Sequence, residues 1–321
     1  VAEAHPRFYV APTVEHQHLV DLPEINPLDG YEAIQGKRIY LAASEGIGDE
    51  VMYSWAWGPA IEQLDVALVV DCDRRLVRPY RRSFPGIVAH PYDRRVDSDL
   101  ATQRARWLPD GVDCWMGQRE FFRFIRGSEE RPDDIGVRQA GGWLKPDPAR
   151  VAHYREQMMP GALNVALSWG NPVALPDRAK HFPPMREWKK LIEVDKRVTW
   201  WTVQHYVAEG GAMPADAHKM AGLDVTDDIE GVLALMAACD LVVAPANTPC
   251  WLGAAVGRTV LTPRSFPARM GSLTEEHIPG FPMIQPAWRN RMGEKPDDAP
   301  WGAAMKAIRE DIKRRVALRK V

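Results

Sequence analysis

Cysteine is scarce: Cys72, Cys114, Cys239 and Cys250 are the only four in 321 residues, each alone and without a C-x-x-C pair. That argues against a disulfide scaffold and a cysteine-based zinc site, and it fits a reducing compartment. Net charge is low too. Lys plus Arg number 41 against 43 Asp plus Glu, a formal charge of −2, so the strongly basic footprint of a dedicated nucleic-acid binder is missing. No run approaches the roughly 20 uncharged apolar residues that a membrane-spanning helix needs. The opening VAEAHPRFYVAPTVEHQH has neither the basic start nor the apolar core of a secretory signal. A cytoplasmic location is expected, with peripheral contact at the inner membrane as the alternative. The first residue is Val rather than Met, from which a processed or excised chain is expected. There is no repeat of solenoid period and no low-complexity tract. His16 and His18 have metal-compatible spacing, yet no neighbouring Cys or His completes a set. No metal and no cofactor are expected.

What is present is the composition of a folded protein, 45% hydrophobic and 26% charged, at a length that suits two domains. Twelve Trp is a high count, and scattered Trp most often packs a core. Continuous apolar runs at 38–43 and 66–70 read as buried strands, each followed by a helix. The first helix opens at Asp49 and runs with apolar spacing to Ile61, and the second covers 74–82 before Pro85-Gly86. Strand, loop, helix and strand in this order predict a parallel sheet covered on both faces. Residues 87–139 look irregular and charged, with the aromatic cluster Phe121-Phe122-Arg123-Phe124. The stretch Gly141 to Pro148 reads as the linker. A second series follows, with strands at 164–169, 198–203, 241–244 and 259–262 and helices at 185–194, 228–238, 249–256 and 303–317. The expectation is α/β, two doubly wound Rossmann-like halves, divided into residues 1–145 and 146–321.

Three constellations carry chemistry. Gly46-Ile-Gly48-Asp49 joins a strand to a helix, and with Asp71 after the next strand it superficially copies a dinucleotide fingerprint. The third glycine position holds Val51, however, and Glu45, Asp49 and Glu50 would crowd a pyrophosphate with like charge. Taken alone, Asp49 is better explained as a helix cap. Trp169-Gly-Asn171-Pro172 and Asp177-Arg178-Ala-Lys180-His-Phe-Pro183 follow a strand end, where ligands bind in such sheets; Arg178 and Lys180 could hold a phosphate there, or simply face water. Asn247 and Thr248 cap a helix of small residues whose free N–H groups suit an anion, although an ordinary capped core helix would look the same.

In combination these motifs resemble the bacterial heptosyltransferase-like glycosyltransferases of family 9 and the transferase domains of tetratricopeptide-repeat glycosyltransferases. Gly46-Ile-Gly48-Asp49 resembles their G-x-G-D, Trp169 to Pro172 and Asp177 to Pro183 their mid-chain motifs, Asp240 to Gly257 their third motif, and Pro300-Trp301 with Met305 a closing segment. The resemblance covers about residues 37–318. It implies a GT-B fold with a cleft between the halves and a last helix crossing back to the first. The implied reaction is metal-independent, inverting transfer from a nucleoside-diphosphate sugar by a hexosyl- or heptosyltransferase type of enzyme. The acceptor is undetermined among glycan, protein, small molecule and nucleic acid.

It assigns Asp49 as general base and places Gly46, Gly48, Asn171, Arg178, Lys180, Gln204, Asn247, Thr248 and Trp251 on the substrate. The family's Asp and His in the third motif fall on Ala246 and Trp251 here, so recognition is expected to differ or activity to be reduced. A catalytically silent GT-B protein binding a nucleotide or glycan is the alternative; an NAD-dependent oxidoreductase is a distant third. The final helix carries Met305, Ile308, Ile312 and Val316 on one face among many basic residues. Burial of that stripe against protein is predicted over docking on an anionic membrane.

Overall fold

The computed structural model describes residues 22–26, 29–43, 46–92, 111–126, 141–170, 182–204, 217–264, 281–289 and 300–319. The first half is a four-stranded parallel sheet of β1 (Arg38–Ala42), β2 (Ala67–Asp73), β3 (Val88–Tyr92) and β4 (Cys114–Gly117), in the order β3-β2-β1-β4. Its helices are α1 (Ile47–Tyr53), α2 (Trp57–Leu64), α3 (Val77–Ser83) and α4 (Gln118–Arg126). The second half is a six-stranded parallel sheet of β5 (Leu163–Leu167), β6 (Val198–Thr202), β7 (Ala217–His218), β8 (Leu241–Val243), β9 (Val260–Arg264) and β10 (Ile284–Trp288). Their order is β10-β9-β8-β5-β6-β7. Around it lie α5 (Pro148–Glu156), α6 (Met185–Ile192), α7 (Ile229–Ala238), α8 (Thr248–Ala255) and α9 (Gly302–Leu318). In both sheets the order reverses beside the first strand, at β1/β4 and at β5/β8, and doubly wound sheets bind ligands at the carboxyl ends of such a pair.

The apolar runs at 38–43, 66–70 and 241–244 become strands buried on both faces because helices cover each side. Several expectations need correction. Residues 87–139 are not uniformly irregular: β3, β4 and α4 lie within them. β3 reads Val-Ala-His-Pro-Tyr and, among the described residues, is an edge strand bonded only to β2, so it needs neither a continuous apolar run nor every N–H. The helix expected from Asp49 to Ile61 starts at Ile47 and breaks into α1, a 3-10 turn and α2. Pro59, which has no N–H to give, falls in the first turn of α2. β2 extends through Asp71 and Asp73 because both carboxylates find partners inside the protein.

The stretch 141–148 is an ordered strap rather than a free hinge. Trp143 and Leu144 are buried. The Trp143 indole donates to Val51 O at 3.0 Å and Ser54 Oγ at 3.0 Å in the first half, while Leu144 N donates to Ala255 O at 2.8 Å in the second. Gly257, left-handed at φ +74° as α8 ends, packs its backbone directly on Gly142. Phe281 from the second half sits among Trp55 and Phe122 of the first, Trp143 of the strap and Trp251 of α8, with ring centroids 5.1–6.3 Å apart. One apolar core therefore runs through both halves.

The last helix is also reassigned. Met305, Ile308, Ile312 and Val316 are buried, as the spacing predicts, but in a core made with β5, β6, α6 and β8 of the second half's own sheet rather than across the first half. Its basic side chains pair locally: Arg309 with Glu187, Lys313 with Glu310, Arg314 and Arg315 with Asp311, and Arg319 with Asp240. Among the described residues, no helix is long and apolar enough to cross a membrane.

Candidate functional site at the carboxyl ends of the two sheets

At the end of β1 the chain turns through exposed Gly46, the N-cap of α1, and Asp49 occupies the third helical position. Asp49 Oδ2 accepts a hydrogen bond from Gly46 N at 3.2 Å. The carboxylate thus plays the capping part that its position alone suggests, complementing the helix dipole while remaining partly exposed. One turn on, burial first and the charge on Asp49 second push the Tyr53 phenol well above its ordinary value.

Glu50, beside Asp49, turns the opposite way and is 1% exposed. Its Oε2 accepts from Asp73 N at 2.9 Å and its Oε1 from the Tyr92 hydroxyl. These bonds tie the first turn of α1 to the ends of β2 and β3, and so set where Asp49 stands. Asp71 is fully buried against His90 Nδ1 at 2.9 Å, and Asp73 is held by Arg75 while capping the next turn through Arg75 N. Asp71 is therefore spent inside the fold and does not reach out for a ribose, which removes the residue on which the dinucleotide reading rested.

The second sheet contributes the loop after β5 and the start of α8. Gln204, 6% exposed after β6, accepts at Oε1 from Ser168 Oγ (3.0 Å), Trp169 N (2.9 Å) and Gly170 N (3.0 Å). Its Nε2 donates to Gly170 O at 3.2 Å. Asn247 caps α8, and its Nδ2 donates to Ser168 Oγ at 3.0 Å and Gly170 O at 3.1 Å. Gln204 and Asn247 together shape the backbone that leads into the polar loop.

Burial raises the Cys250 thiol to about 11, outweighing the charge on Arg264 and the Thr262 hydroxyl, both of which favour thiolate. Trp251 lies half-buried with its ring edge-on to Phe281. Ala246, by contrast, is exposed just ahead of the cap.

The two sets meet at Gly48 and Thr248. A Cβ on Gly48 would lie 2.9 Å from Thr248 Oγ1 and 3.1 Å from Thr248 Cα, so only glycine lets the two helix starts touch this closely. Asp49 is the next residue. Of the expected site residues, Gly48 is thereby brought against Thr248, with Gly46 and Asp49 in the same helix start, Asn247 capping α8 and Gln204 supporting the adjoining loop. Asn171, Arg178 and Lys180, with His16, His18 and Glu45, lie outside the described residues. Sequence reasoning missed Glu50 and Ser168: a charged side chain that folds inward and a serine ending a strand carry no local signature.

No family model matches the chain. Protein FlbA of Caulobacter vibrioides is 29% identical over 270 residues, which is 78% of this chain and 43% of FlbA, so the chain spans less than half the length of that relative. Among solved structures, a glycosyl transferase of family 9 from Veillonella parvula aligns over 88% of this chain and 98% of its own, with a TM-score of 0.53 at 9% identity. ADP-heptose LPS heptosyltransferase II of E. coli aligns over 87% and 98%, with a TM-score of 0.55 at 11% identity. E. coli heptosyltransferase WaaC with ADP aligns over 86% and 99%, with a TM-score of 0.53 at 11% identity. Two parallel, doubly wound sheets meeting at their carboxyl ends are thus the GT-B fold, and in architecture this chain resembles the heptosyltransferase-like glycosyltransferases.

Proposed function

We propose that the protein is an inverting, metal-independent glycosyltransferase of the hexosyl or heptosyl type, moving a sugar from a nucleoside-diphosphate donor to an acceptor hydroxyl. The acceptor-side half comprises residues 1–145 and the donor-side half 146–321. The observation that supports this reading is the contact of Gly48 with Thr248, which sets the first turn of α1, where Asp49 stands, against the start of α8. Asp49 takes the proton of the acceptor hydroxyl as its oxygen attacks the anomeric carbon from the face opposite the leaving group. The nucleoside diphosphate departs with the bonding electrons. Thr248, the α8 N–H groups and Lys180 meet the charge that develops on it, in a setting that needs no reorganisation at the moment of reaction. Gly46, Gly48, Asn171, Arg178 and Trp251 line the substrates, while Gln204 and Asn247 hold the loop that leads to the donor.

A panel of nucleoside-diphosphate sugars, scored for donor hydrolysis and for transfer, tests the proposal. Turnover that collapses in Asp49→Ala supports it; full activity in that variant removes Asp49 as the base. The bond from Gly46 N to Asp49 Oδ2 favours a second reading, in which Asp49 only caps α1 and the chain binds a nucleotide or glycan without turning it over. Calorimetric binding of a nucleoside diphosphate without turnover of any donor would support that reading.

A further inference from the structure

Among the described residues of the second half, arginines that are not freely exposed have partners. Arg150 is held by Asp228, Arg155 and Arg258 by Ala237 O, Arg309 by Glu187 and Arg319 by Asp240, and Arg289 lies over the Trp301 ring. Arg264 is the exception. It ends β9, its carbonyl accepts from Arg289 N at 2.7 Å, and its backbone is paired in register with Trp288. No hydrogen bond or ion pair among the described residues reaches its guanidinium, which is walled in by protein yet keeps some exposure.

The direction of the side chain follows from the strand. Residues 260, 262 and 264 share one face of β9. Val260 packs in the core with Cys250 and Leu252 of α8, whereas Leu261 packs in the opposite core with α9. Thr262 stands against the Cys250 thiol, and the charge on Arg264 also acts on that thiol. Arg264 is therefore one step beyond Thr262 toward the carboxyl end of the sheet, over the first turn of α8. Burial, with no carboxylate among the described residues to offset it, lowers its proton affinity, and an arginine so placed still keeps its charge. An uncompensated cation inside a fold is a cost unless something anionic arrives to meet it.

We infer that Arg264 is a donor-binding residue whose guanidinium engages the diphosphate of the nucleotide sugar, together with the N-terminus of α8. This rests on the donor-binding reading above and adds to it a cation supplied from β9. The planar fork of Arg264 can take two phosphate oxygens at once, and α8 offers N–H groups from the other side. Leaving-group charge is then met from two directions.

The test compares wild type, Arg264→Gln and Arg264→Lys by calorimetric titration with ADP, UDP, GDP and inorganic pyrophosphate, alongside thermal unfolding without ligand. Expected is binding of at least one probe by wild type, weakened about 10- to 100-fold in Arg264→Gln, the loss of a charge-assisted contact. Arg264→Lys should fall between, keeping the charge but losing the fork. The Tm of ligand-free Arg264→Gln should be unchanged or higher, because a cation without a partner is removed. Equal binding by wild type and Arg264→Gln overturns the inference and leaves the donor reading standing. So does a lowered Tm in both variants, which is the mark of a structural arginine. Failure of wild type to bind any of the probes sinks the donor reading itself, and this inference with it.

Discussion

Replacing Gly48 with alanine should cost far more function than stability. The new Cβ would meet Thr248 Oγ1 at 2.9 Å, Thr248 Cα at 3.1 Å and Thr248 Cβ at 3.4 Å. Carbon atoms rest at about 3.5–4.0 Å, so the start of α1 must retreat from α8 by roughly 0.5 Å. Overpacking of this kind costs about 1–3 kcal/mol. Alanine in a helix recovers about 1 kcal/mol relative to glycine, leaving a net loss of about 0–2 kcal/mol and a fall in Tm of at most a few degrees. Asp49 moves with the helix. A misplacement of about 1 Å can cost 10²-fold in rate, so half of that should cost about tenfold. Transfer or donor hydrolysis by Gly48→Ala, read beside its unfolding curve, measures the two effects separately. The double variant with Thr248→Ala removes the Oγ1 clash but leaves the new methyl pressed on the backbone at position 248, and should recover only part of the stability. Gly302→Ala, where no described residue lies within 4 Å of the added methyl, is the control and should be neutral or slightly stabilising. Wild-type activity together with wild-type stability in Gly48→Ala would refute the idea that this close approach sets the geometry.

Phe281→Ala should destabilise the chain by about 3–5 kcal/mol, because the ring packs against Trp55, Phe122, Trp143 and Trp251; denaturant unfolding followed by Trp fluorescence reads it, and a loss below about 1 kcal/mol would contradict the shared core. Gln204→Leu strips the acceptor from Ser168 Oγ, Trp169 N and Gly170 N, so a loss of about 1–3 kcal/mol is expected. A weakening of nucleoside-diphosphate binding in the same variant should show in titration. Asp228 caps α7 through Gly231 N at 2.9 Å and pairs with Arg150. Burial raises its pKa, but the bonds from Arg150 and Gly231 outweigh this and leave the carboxyl below its ordinary value. A depressed folded-state pKa contributes stability above the unfolded value near pH 4 that is lost as pH falls through the folded one. Unfolding measured across that window should therefore fall less steeply in Asp228→Asn, and parallel curves would remove Asp228 from the account.

Local chemistry alone determines a good deal of this protein. Continuous apolar runs such as Val66–Val70 can only be satisfied between two layers of helices, which leads to a parallel sheet. Asn247 ahead of Thr248-Pro249 is a helix start by its hydrogen-bonding chemistry, and the i, i+3, i+4 stripe of the last helix demands burial. What covers that stripe is not local. A helix can bury one face against any apolar surface, and only the tertiary packing chose the second half's own sheet over the first.

β3 and β10 carry no clear signal in the sequence, because edge strands tolerate Pro, His and polar residues that a central strand would not. Gly141–Pro148 reads as a linker by composition, yet Trp143 and Leu144 are claimed by partners some 90–110 residues away in the chain. The candidate site divides in the same manner. Gly46, Gly48 and Asp49 are contiguous, so a motif can carry them. The contact of Gly48 with Thr248, the three bonds accepted by Gln204 and the setting of Arg264 are relations between distant residues; the approach of the two sheets brings about the first, and strand pairing within the second sheet the other two.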